Sequence, residues 1–127
     1  MTRRYILIVL FVILAGVMLA ACGGGDDAGP AYTQEQIDAG EVQYQATCSA
    51  CHGADGMGIE NLGRAIVGSE FVNEQSDTEL VEYVKAGRTV DDPLNTTGIA
   101  MPPKGGNPAL TDEQIQNTVA YIRSIQP

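Results

Sequence analysis

Cys48, Ser49, Ala50, Cys51 and His52 constrain this chain more than any other segment of it. Two cysteines three positions apart, followed at once by histidine, form the C-x-x-C-H pattern of c-type haem attachment. Near the end of a helix, Cys48 and Cys51 stand at i and i+3 and Cys48 and His52 at i and i+4, so all three side chains project from one side. One helical turn then offers two thiols to the two vinyl groups of a haem and an imidazole to its iron. Covalent thioether links also prevent haem loss from an exported protein.

Export is the expectation set by the N-terminus. Arg3 and Arg4 precede an apolar block from Tyr5 to Leu19, and the small residues Ala20 and Ala21 follow, which is the layout of a secretory signal peptide over residues 1–21. Leu19, Ala20, Ala21 and Cys22 resemble a bacterial lipobox, which implies that Cys22 is lipidated and opens the mature chain. The alternative is an uncleaved transmembrane anchor, for which the apolar run sits at the lower limit of length. Both place the arginines on the cytoplasmic side and send everything after residue 22 out of the cytoplasm. Residues 22–32 are then the lipidated cysteine and a linker, since Gly23 to Pro30 is a Gly/Asp-rich run that cannot pack. A flexible run of about ten residues has a root-mean-square reach of roughly 17 Å, which keeps the following domain close to the membrane.

The other uses of a Cys-x-x-C pair fit less well. A thioredoxin-like redox pair belongs near a βαβ pattern, and none is visible. A structural zinc site takes four ligands, whereas the chain has three cysteines and one histidine, and only Cys48, Cys51 and His52 remain once Cys22 is lipidated. A plain disulfide suits an oxidising compartment but gives no reason for the chain's single histidine to stand beside it.

A haem in an electron carrier commonly takes a second protein ligand, and His/Met ligation raises its reduction potential. His52 is the only histidine, so a bis-histidine site within one chain is excluded and the four methionines are the candidates. Met1 and Met18 leave with the signal segment, and Met57 lies too close to His52 to wrap round to the opposite haem face. Met101 remains, far enough along the chain to return past the haem edge. Pro102 and Pro103 follow it and favour a stiff, extended approach; an ordinary loop methionine is the plain alternative.

Three helices are expected between residues 33 and 127, each opened by a capping-box pair: Thr33 with Gln36, Ser76 with Glu79, and Thr111 with Gln114. In the first, Ile37, Gly40, Tyr44 and Cys48 fall on one face, and Gly40, costly inside a helix, suggests close approach by another helix. Leu80, Val81 and Val84 mark the second, which Gly87 stops. Ile115, Val119, Ile122 and Ile125 mark the third, with Tyr121 beside them. No stretch alternates as a strand does, so the fold class is all-α, with long loops over residues 53–70 and 89–110. This segment has one Phe and no Trp, and a domain so short of large apolar side chains often depends on a staple or cofactor.

Taken together, residues 33–127 resemble a class I, monohaem cytochrome c. The resemblance is carried by Gly40 and Tyr44 in the first helix, the Cys48–His52 motif with Gly53, Gly56 and Gly58 after it, Met101-Pro102 in a late loop, and Tyr121 in the last helix. It implies that the first and last helices cross at Gly40, with Tyr44 and Tyr121 at the contact. It also implies that a backbone carbonyl near Asn61, Leu62 and Gly63 accepts the His52 Nδ1 proton, although Arg64 stands where many members of the family have proline. Arg64 could reach a haem propionate or lie in solvent, and Lys104 could touch a partner or be an ordinary surface lysine.

The function expected is one-electron transfer outside the cytoplasm by a domain tethered to a membrane. One covalent haem c is held by Cys48 and Cys51, with His52 and Met101 as axial ligands of the iron. Partners implied by the resemblance are a quinol-oxidising complex upstream and an oxidase or reductase downstream. Losing Arg3 and Arg4 with the leader moves the formal net charge from −9 to −11, which argues against nucleic acid and for a partner with a basic face. No small-molecule substrate is expected. The rivals are a haem-based sensor of a small gas ligand, a peroxidase-like enzyme with an open iron position, and a fixed subunit of a larger redox complex.

Overall fold

Each of the three sequence-marked helices begins at its capping box. Thr33, Ser76 and Thr111 accept a hydrogen bond from the backbone N–H of Gln36, Glu79 and Gln114, whose side chains accept one back from the cap residue's own N–H. This reciprocal pairing satisfies N–H groups that a helix start leaves free. In the computed structural model, residues 32–127 are described, and they contain five α-helices: α1 (Gln34–Thr47), α2 (Ser49–His52), α3 (Glu70–Glu74), α4 (Asp77–Ala86) and α5 (Asp112–Ser124), with a 3-10 turn at Pro103–Gly106. The signal segment 1–21, Cys22 and the linker up to residue 31 lie outside the described residues. No strand occurs among the described residues, only two isolated bridges, Ile59 to Gly63 and Arg88 to Met101. The fold is all-α, as the absence of alternating segments predicts.

The core forms where α1 and α5 cross. A Cβ on Gly40 would lie 1.9 Å from the Asn117 carbonyl oxygen and 3.0 Å from the Tyr121 Cβ, so only glycine permits this approach. Tyr44, fully buried, stacks on Tyr121 with ring centroids 5.3 Å apart and a tilt of 49°, within the range in which aromatic pairs attract. Ile115 and Val119 of α5 are almost completely buried beside them, and Leu80 and Val81 of α4, Val72 of α3, Ile66, Leu110 and Ile122 complete the cluster. The apolar stripes expected on the three helices are therefore those that face the core, with Ile37, Val84 and Ile125 partly buried at its edge.

Two features escape the sequence pattern. Helix α3 sits in the stretch around residue 70 where a loop ends; it is a single turn and a half, capped by the Ser69 hydroxyl accepting from the Val72 N–H at 3.4 Å. Arg123 of α5 donates through Nε to Asp77 at 2.8 Å, through Nη1 to the Val72 carbonyl at 2.7 Å and through Nη2 to the Gln75 carbonyl, tying α5 to the corner between α3 and α4. The Tyr32 hydroxyl donates to the same Asp77 carboxylate. Tyr32, which composition assigns to the linker, is thus anchored on the domain. No helix among the described residues is long and apolar enough to cross a membrane.

Candidate haem site

The motif sits where α1 runs out. Cys48 is the C-cap of α1 with helical φ and ψ, and the chain continues directly into α2, with the N–H groups of Cys51 and His52 both donating to the Cys48 carbonyl at 3.1 and 3.0 Å. Gly53, at φ 80°, ends the turn. Its carbonyl accepts from the buried Tyr44 hydroxyl at 2.8 Å, so the helix crossing in the core fixes where the motif ends.

Cys48, Cys51 and His52 all line one cleft, and Met101 lines it too. A second cleft shares His52, Arg64, Tyr83, Arg88 and Met101 with the first and continues inward to Ile66, Val72, Leu80 and Val119. Both thiols are free and half-buried. Burial, reinforced by the neighbouring Cys51 charge, pushes the Cys48 thiol up to about 11. It is therefore a neutral thiol at physiological pH, unlike the acidic thiolates of dithiol redox centres.

His52 Nδ1 lies 2.8 Å from the Arg64 carbonyl oxygen. A carbonyl only accepts, so Nδ1 carries a proton, Nε2 is the nitrogen turned away from this bond, and the ring is held in one orientation. The carbonyl expected near Asn61–Gly63 is thus supplied by Arg64 itself, without a proline. The Arg64 residue is exposed. Lys104 donates its ammonium to the Leu110 carbonyl at 2.7 Å.

The two methionines of the domain part company. Met57 is 60% exposed and lines neither cleft, whereas Met101 lines both. The Met101 backbone is paired with Arg88 by two hydrogen bonds, Arg88 N–H to Met101 oxygen at 2.8 Å and Met101 N–H to Arg88 oxygen at 2.9 Å. Sequence reasoning missed Arg88. A basic residue just after a helix stop reads as solvated, and nothing local announces that its guanidinium lies over the rings of Phe71 and Tyr83. Among the described residues, no group of three or more His, Cys, Asp or Glu side chains gathers as a metal site, so a zinc centre has no ligand set here.

Two half-buried thiols and an imidazole on one helical turn, opening on apolar clefts with a thioether in their wall, suit a porphyrin that is bonded through its edge and centred on a metal. The fold and the site together define an all-α domain for a covalently held haem. The chain matches, over residues 35–122, the family model described as cytochrome c oxidase, cbb3-type, subunit III. It is 33% identical over 84 residues to cytochrome c-555 of Chlorobaculum thiosulfatiphilum, covering 66% of this chain and 90% of that protein. Identity to the cytochrome c-555 of Prosthecochloris aestuarii is 36% over 90 residues, 69% of this chain and 88% of the relative. The cbb3-type cytochrome c oxidase subunit FixP of Sinorhizobium medicae is 31% identical over 101 residues, 77% of this chain but only 33% of that subunit. No solved structure gives a significant match.

This chain belongs to the cytochrome c family, as a monohaem class I member. Its cofactor is one covalently bound haem c, and it is an electron carrier, not an enzyme.

Proposed function

We propose that this cytochrome is a membrane-tethered one-electron carrier in which Cys48 and Cys51 form the thioether links and His52 and Met101 are the axial ligands of the iron. The haem supplies the electron-accepting centre; the chain's own residues attach it, orient it and limit access to it. The observation that carries the reading is that His52, its ring held through Nδ1 by the Arg64 carbonyl, and Met101 share both clefts, while Met57 stands exposed elsewhere. An iron with both axial positions filled by protein passes electrons through the porphyrin edge and offers no open position for chemistry.

The tether belongs to the same proposal. Export of residues after 22, a lipid on Cys22 and attachment to a bacterial membrane, on the periplasmic side or the outer face of the cytoplasmic membrane, follow from the leader and lipobox. Several acyl chains give stable attachment where one does not. A quinol-oxidising complex upstream and an oxidase or reductase downstream are the partners. One observation favours a second reading, a fixed subunit of a larger redox complex: the family model and one relative carry the name of an oxidase subunit.

The test is an optical redox titration of the full chain with and without carbon monoxide, alongside Met101→Ala. The wild-type ferrous protein is expected to bind carbon monoxide slowly or not at all and Met101→Ala to bind it readily. Rapid binding by the wild type would instead make it a small-ligand sensor. Mass analysis reads the haem and the acyl groups in one sample, and purification in mild detergent separates a free carrier from a subunit.

A further inference from the structure

Arg88 touches three parts of the molecule. Its backbone pairs with Met101 through the two hydrogen bonds at 2.8 and 2.9 Å. Gly87, at φ 72°, makes that pairing possible, because a Cβ there would lie 2.3 Å from the Met101 oxygen. Its guanidinium carbon lies 4.9 Å from the ring centroid of Phe71 and 5.0 Å from that of Tyr83, rings that α3 and α4 hold 4.9 Å apart. Nη1 donates to the Leu94 carbonyl at 3.2 Å, and the Asp92 carboxylate lies 3.7 Å from Nε.

The side chain is only 10% exposed although it bears a permanent charge; the two rings, the Leu94 carbonyl and the Asp92 charge face it, while its buried Nε has no hydrogen-bond partner. The stretch from Thr89 to Ala100 is thereby closed at its base by the pairing of residues 88 and 101 and fastened to the helices by the guanidinium. Inside it, Asn95 Nδ2 donates to the carbonyls of Thr89 and Ile99, both at 2.9 Å. This stretch carries no helix and leads directly into Met101.

We propose that Arg88 is a positioning residue: its guanidinium latches the 89–100 loop and so keeps the Met101 thioether on the iron, closing the distal face to small ligands. The inference rests on Met101 ligation. A thioether is a weak neutral ligand, so the fraction of time it is released depends on how firmly its loop is held. The planar guanidinium lies over two rings and reaches a carbonyl at once, which a lysine ammonium cannot reproduce.

The test uses haem-loaded full-length protein and follows carbon monoxide uptake by the ferrous form at a temperature well below unfolding. Arg88→Gln and Arg88→Lys are expected to raise the uptake rate by about tenfold or more, from the loss of a desolvated cation–ring contact and a charge-assisted hydrogen bond. Met101→Ala sets the ceiling. Asn95→Ala, which loosens the same loop from within, is expected to move uptake in the same direction, and it keeps the test decisive if the Arg88 variants fail to load haem. Uptake unchanged from wild type in the Arg88 variants, or in Asn95→Ala where those do not load, while Met101→Ala opens the site, would overturn the latch and leave the ligation standing. No change in Met101→Ala would overturn the ligation, and the latch with it. A merely structural Arg88 would lower the melting temperature and leave the uptake rate alone.

Discussion

The two sides of the haem site are built in different ways. The His52 side stands on a helical turn: Cys48, Cys51 and His52 are neighbours in sequence, their backbone N–H groups donate to the carbonyls of Tyr44 and Cys48, and the Tyr44 hydroxyl pins the end of the turn to the core. The Met101 side has no helix beneath it. It is a loop closed by Arg88, stitched by Asn95 and followed by a 3-10 turn. Regular structure with local bonds opens only with the core that supports it, whereas a loop with few buried apolar contacts opens locally at lower free energy. In the proposed reading, a carrier built in this way fixes its covalent attachment through the fold and its replaceable ligand through a handful of side chains.

Breaking the first side should therefore cost global stability. Gly40→Ala gains helix propensity of about 1 kcal/mol, but the new methyl group collides with the Asn117 carbonyl. Overpacking against backbone costs about 1–3 kcal/mol or more, so a net loss is expected, read as a lower denaturant midpoint at unchanged slope. A smaller loss on the same side should follow Tyr44→Phe, which leaves the Gly53 carbonyl without its donor and costs about 1–2 kcal/mol. Haem content measured on both variants should fall only in proportion to the unfolded fraction.

Breaking the second side should leave stability nearly intact and change access instead. Gly87→Ala forces a left-handed backbone on a residue that resists it and crowds the Met101 oxygen. Its expected signature is faster carbon monoxide uptake out of proportion to the drop in melting temperature. Equal effects of Gly40→Ala and Gly87→Ala on both readouts would erase the distinction between the two sides.

The smallest effect concerns α4, whose end carries Gly87 and Arg88. Hydrogen bonds from the Ser76 hydroxyl and backbone N–H hold the Glu79 carboxyl below its ordinary value. A carboxyl lowered in the folded state contributes stability that is present above its unfolded value and lost as pH falls through its folded value. Ser76→Ala should destabilise the domain by about 1 kcal/mol at neutral pH, and thermal melts should show the difference from wild type shrinking in acid.

The same contrast explains what the sequence revealed. Thr33, Ser76 and Thr111 announce their helices because a capping box is completed within four residues, and the apolar faces of α4 and α5 repeat with the helix. The site motif is legible for the same reason, since its chemistry is contained in five consecutive positions. Gly40, Tyr44 and Tyr121 could be placed through the family resemblance and the cost of a helical glycine. Arg123 and Arg88 could not, because the groups that hold them, Asp77, Val72 and Gln75 for one and Phe71, Tyr83 and Leu94 for the other, are distant or non-periodic in sequence. Helix α3 is too short to show a period, and only Ser69 hints at its start.

The central claim is that one methionine completes the iron's coordination and that it is Met101. Proton–carbon NMR of the ferrous full-length protein, labelled at the methionine methyl groups, tests it most directly, because a methyl held over the face of a porphyrin is shifted strongly upfield by the ring current. A single such methyl is expected, lost in Met101→Ala and retained in Met57→Ala. The absence of any shifted methyl, or its loss in Met57→Ala, would contradict the account.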